Sequence, residues 1–124
     1  GPDALPVADA RLLRAPHRLL GHSTHDAGED ESGRLPDVDY VGLRPCFATE
    51  TKTLERDPRG ADLVGECRAA AGDLPVFPIG GITPDNVAAL VEAGASRAAV
   101  GAGILAAADP AAAARTLRER LAVP

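Results

Sequence analysis

The chain is 124 residues long, 45% apolar and 25% charged, and carries a net charge of −5 at pH 7. That length supports one domain with a modest core and is too short for two. No apolar run approaches the ~20 residues of a membrane span, and nothing at the start reads as a signal peptide. The acidic balance, with only Tyr40, Phe47 and Phe77 as aromatics, argues against a nucleic-acid partner. Lys52 is the single lysine among 13 basic residues, a bias that reflects a GC-rich genome rather than a function. Cys46 and Cys67 fall into no CxxC pattern and no ligand spacing, so two reduced thiols in a cytoplasmic protein are expected.

Taken in chain order, residues 7–13 read as a helix and residues 18–23, through Arg18-Leu19-Leu20-Gly21, as a strand. Residues 26–38 contain Gly28, Gly33 and Pro36 and have almost no apolar face. They predict a solvated loop where a crossover helix would otherwise stand. Asp39-Tyr40-Val41-Gly42-Leu43 marks a second strand over 39–44. Residues 62–71 set Leu63, Val64 and Cys67 on one helical face, with Gly72 as the stop. A third strand over 75–79 is cut by Gly80-Gly81. Thr83-Pro84 then reads as N-cap and first turn of a helix that buries Val87, Leu90 and Val91 and ends at Gly94. Residues 97–101 form a fourth strand. Asp109-Pro110 caps a last helix with Leu117 and Leu121 inward, and Arg115, Arg118 and Arg120 lie toward the end where the helix dipole favours cations. Strand and helix in alternation mean parallel βα units, an α/β fold of four parallel strands.

Two of these strands end in glycine-rich turns, Ile79-Gly80-Gly81-Ile82 and Val100-Gly101-Ala102-Gly103. In parallel α/β proteins ligands bind at this edge, where glycine lets backbone N–H groups approach a phosphate and the following helix start adds a favourable dipole. Taken singly, each turn is better explained by a tight bend that needs positive φ. The pair is similar to the phosphate site of a (β/α)8 barrel and points to phosphate binding.

At these residues the chain resembles the thiamine-phosphate synthase family. Gly21-His22-Ser23-Thr24-His25 is similar to a G-x-S-[TA]-H strand and Asp39-Tyr40-Val41-Gly42 to a D-Y-[VI]-G strand. Phe47-Ala48-Thr49-Glu50-Thr51-Lys52 resembles an F-P-T-x-T-K loop, and Ile79-Gly80-Gly81-Ile82 and the A-D-P-A-A-A-A-R run over 108–115 also fit. The resemblance covers nearly the whole chain. It implies that residues 1–124 are one partial domain, the C-terminal half of a (β/α)8 TIM barrel. It implies a cytoplasmic transferase that joins hydroxymethylpyrimidine diphosphate to hydroxyethylthiazole phosphate and releases pyrophosphate, with Mg²⁺ helping the leaving group. By the same resemblance, Lys52 is a point charge on the departing pyrophosphate and Ser23 hydrogen-bonds it, these two being the catalytic pair. Thr49 and Thr51 donate hydroxyl bonds to the thiazole phosphate, Gly81 offers its backbone N–H, and Gly101 and Ala102 take the backbone positions after the last strand. His25 sits beneath the ligand. In the related thiazole tautomerases the equivalent histidine transfers a proton, so tautomerase activity through His25, or phosphate binding without catalysis, are the alternatives.

Two departures limit the resemblance. The family barrel is about twice this length, and its first half supplies a basic pair, an asparagine and a Mg²⁺-binding aspartate. The second metal-binding aspartate should stand at position 4, where this chain has Ala4 with Asp3 beside it. The metal ligands are therefore absent from their places. An excerpt of a longer synthase is the leading expectation; the alternatives are a half that pairs with a second half-barrel or self-associates to cover its open strand edges, and a decayed remnant that binds phosphate without catalysis.

Overall fold

The computed structural model describes residues 5–13, 15–24, 37–44, 46–47 and 60–122; most of the expected loop at 26–38 lies outside them. The elements run α1 (Val7–Leu13), β1 (Gly21–Thr24), β2 (Tyr40–Leu43), α2 (Gly60–Ala71), β3 (Val76–Pro78), α3 (Val87–Glu92), α4 (Ala102–Leu105) and α5 (Pro110–Leu121). The strands form one parallel sheet in the order β1-β2-β3, with Gly21 opposite Tyr40 and Gly42 opposite Phe77.

Four boundaries differ from expectation. The first strand begins at Gly21 because the Leu20 N–H is taken by the Asp39 carboxylate at 2.7 Å and Arg18 closes a turn onto Ala15. It extends instead to Thr24, which is fully buried. The fourth strand is reduced to a single parallel bridge between Ile79 and Ala99. The N–H groups of alternate residues in β3 face opposite neighbours. Ile79 N–H bonds Leu43 O, so the donor side facing residues 97–100 falls on Pro78, which has no N–H to give. The helix expected from Thr83-Pro84 becomes regular only at Val87. Thr83 O accepts the first helical bond from Val87 N–H at 3.1 Å, but the N-cap position falls on Asn86. Lastly, the short helix α4 stands where only a turn was expected.

One face of the sheet is packed. Val41, Leu43, Val76 and Thr24 point to the side occupied by Val64 and Cys67 of α2, Val87 and Leu90 of α3 and Leu117 of α5. Helix α2 packs on α3, and α3 and α4 pack on α5. The opposite face lines an open cleft of about 360 Å³ with Gly21, Ser23, Tyr40, Gly42, Phe77 and Ile79. Tyr40 and Phe77 meet there edge to face, ring centroids 5.8 Å apart.

Cys46 and Cys67 are buried free thiols, as expected. No helix among the described residues is long and apolar enough to cross a membrane.

Candidate functional site

The parallel strands bring three chain segments to one edge of the sheet. Ser23 lies exposed near the end of β1, its register partner being Gly42. A Cβ on Gly42 would stand 3.1 Å from the Ile79 Cδ1, so the bare glycine lets the cleft reach the sheet backbone beside Ser23. After β2 the chain crosses to β3's turn: Cys46 N–H donates to Ile79 O at 3.0 Å and Phe47 N–H to Gly80 O at 3.1 Å. Thr49, Thr51 and Lys52, expected from the sequence to bind phosphate, lie outside the described residues, as does His25.

Beyond β3, Gly80 and Gly81 have φ of 109° and 63°, a region closed to other L residues at low cost, so this turn requires its glycines. Gly101 has φ −104° and open space around its Cα, so backbone conformation does not explain it. Gly103 has a different reason. A Cβ there would overlap the Ile82 carbonyl, so the second turn lies directly against the first. The two glycine-rich turns form one surface. Among the described residues, the N–H groups of Gly81, Ile82, Gly101 and Ala102 meet no backbone or side-chain acceptor. Clustered backbone donors of this kind form an anion-binding concavity. Ser23, Gly81, Gly101 and Ala102 all stand at this C-terminal edge of the sheet.

Two residues given no individual site role from the sequence shape the site. Gly103 makes the close approach, and Asn86 ties the first turn together. Its Nδ2 donates to Gly81 O at 2.8 Å, and its Oδ1 accepts from Thr83 N–H at 2.8 Å. The sequence signal was an asparagine five residues after a glycine pair, close enough to reach back across the turn.

No group of three or more His, Cys, Asp or Glu side chains among the described residues converges to hold a metal ion. Cys46 plays no part in such chemistry. Burial pushes its thiol up to about 11, against a weaker opposing effect of the Ile79 backbone, and burial also raises Cys67.

A family model described as thiamine monophosphate synthase matches residues 1–104. A thiamine-phosphate synthase of Anaeromyxobacter dehalogenans is 43% identical over 118 residues, which cover 95% of this chain and 53% of that protein. Another, from Mycobacterium sp. strain JLS, is 40% identical over 121 residues, 98% of this chain and 53% of that protein. Among solved structures, a thiamine phosphate pyrophosphorylase from Pyrococcus furiosus superposes with TM-score 0.73 at 26% identity, covering 97% of this chain and 56% of that one. The chain spans between 25% and 53% of the length of these and other curated relatives it matches.

Proposed function

This chain belongs to the thiamine monophosphate synthase family, and on that premise we propose that it carries the phosphate-binding part of a cytoplasmic thiamine-phosphate synthase. The reaction joins hydroxymethylpyrimidine diphosphate to hydroxyethylthiazole phosphate with loss of pyrophosphate. The observation that carries the reading is the joining of the two glycine-rich turns, Gly103 against Ile82, with N–H groups on both that meet no acceptor among the described residues. Such a surface accepts a phosphate monoester and holds the thiazole in register with its partner.

In this reading Gly81, Gly101 and Ala102 bind the thiazole phosphate through backbone N–H groups, with hydroxyl bonds from Thr49 and Thr51. Ser23 and Lys52 act on the pyrophosphate as its bond to the pyrimidine carbon breaks and negative charge gathers on the leaving oxygens. His25 supports the ligand from beneath. The thiazole nitrogen then captures the pyrimidine cation. A Mg²⁺ requirement belongs to the proposal through the family and not through any described residue. The edge that binds phosphate is only part of a synthase site, so the 124-residue chain by itself is expected to give no turnover.

The test joins this chain to the N-terminal portion of a relative and compares two variants with the unmutated fusion by steady-state kinetics. Lys52→Ala should lower turnover roughly a hundredfold, the usual cost of a charged group acting mainly in the transition state. Thr49→Val should raise the Michaelis constant for thiazole phosphate while saturated turnover stays near normal, because its bond is present in ground and transition states alike. Retained turnover in Lys52→Ala would overturn the assignment of that loop.

A further inference from the structure

We propose that Asn86 is a positioning residue for phosphate recognition, its side-chain amide setting the shape of the turn whose Gly81 and Ile82 N–H groups receive the phosphate monoester. The inference rests on the phosphate-site reading above. Gly80 and Gly81 are consecutive glycines at positive φ, the backbone with most conformational freedom to lose. Left to itself, such a segment spends much of its time in shapes that do not present both N–H groups to one anion. Asn86 bridges it. The amide nitrogen holds Gly81 O and the amide oxygen holds Thr83 N–H, so both ends of the Gly81–Ile82–Thr83 segment are fixed by one planar group. Asn86 is itself anchored, since it precedes α3, whose Val87 and Leu90 are fully buried. On the far side Gly103 rests against Ile82 O. The Gly81 carbonyl is thus engaged by the Asn86 amide, while among the described residues the N–H groups of Gly81 and Ile82 meet no acceptor. Preorganised donors bind an anion without reordering at the moment of binding, which is where the affinity comes from. A neutral amide is the group the turn requires. A carboxylate would set two acceptors against each other at Gly81 O and place negative charge beside an anion site.

The experiment titrates the chain with inorganic phosphate and with hydroxyethylthiazole phosphate, following backbone amide resonances of Gly81, Ile82 and Ala102. In the unmutated chain all three should move. Asn86→Ala should weaken binding about tenfold, the size of one or two lost neutral hydrogen bonds. Asn86→Asp should weaken it more at pH 8. Its affinity relative to the unmutated chain should recover as the pH falls and the introduced carboxyl regains a proton to donate to Gly81 O, a profile that a generally loosened fold would not show. Unchanged affinity in Asn86→Ala overturns the positioning role alone, as does an Asn86→Asp variant whose relative affinity ignores pH. Amides that stay still in the unmutated chain overturn the role and the phosphate-site reading together.

Discussion

Gly101 and Gly103 stand two residues apart and should answer the same substitution differently. Gly103→Ala drives a methyl into the Ile82 carbonyl and should cost about 1–3 kcal/mol, the range for forced overpacking. Gly101→Ala meets nothing and should change stability by less than about 0.5 kcal/mol. Paired thermal melts decide this. Asp39 has a comparable structural part. Its carboxylate accepts the Leu20 N–H at 2.7 Å and faces Arg11, which also reaches Asp37 at 3.0 Å. Asp39→Ala leaves that amide unsatisfied and should cost about 1–3 kcal/mol by chemical denaturation, far more than the exposed Asp37 pair contributes. The thiols give a pH prediction. An unfolded thiol ionises near 9.0, whereas buried Cys46 holds its proton to about 11. Unfolding therefore releases a proton above pH 9, and the contribution is complete below that pH and lost as pH rises toward 11. Thiol reagents at pH 8 should label neither cysteine until denaturant is added. Asp39 was legible only as the start of a strand, because its role depends on segments 19 and 28 residues away meeting it. The same holds for Gly103, whose glycine is demanded by a backbone from another turn.

At the scale of elements, local signals were the reliable ones. Asp109 caps α5 as its Asp-Pro pair indicated, its carboxylate accepting Ala112 N–H at 3.0 Å. Asp109→Ala should therefore cost about 1 kcal/mol in a thermal melt. The parallel alternation was legible from apolar runs and glycine stops, and α1, α2 and α5 stand where periodicity put them. The errors came where a neighbour decides. Residues 97–101 have a strand's composition, but pairing depends on the donor row of β3, and Pro78 interrupts it. Thr83-Pro84 is a good N-terminal signal by itself. Asn86 uses its side chain on the preceding turn instead, and the regular helix starts later. The glycine-rich turns of the candidate site were legible as a pair. Their union into one surface was not, since it requires the third dimension.

The whole molecule has a packed face and an open one, and that asymmetry predicts its behaviour in solution. A parallel sheet normally lies covered on both sides. Here Tyr40, Phe77 and Ile79 line an open cleft, while Leu12 and Leu13 on α1 and Leu19 before β1 are 83%, 77% and 76% exposed. Among the described residues, β1 is an open edge and the pairing beyond β3 is interrupted, which adds strand edges on both sides of that cleft. Exposed apolar surface of this kind drives association. The opposing force is the net charge of −5, which makes copies repel one another. Raising the salt screens that repulsion and leaves burial of apolar area intact. The chain should therefore associate with increasing concentration, and more strongly in high salt than in low, in sedimentation equilibrium. Leu12→Glu together with Leu19→Glu, both at exposed positions, should reduce the association while changing stability by less than about 0.5 kcal/mol. A compact monomer at every concentration and salt would show that the open face is not a contact surface.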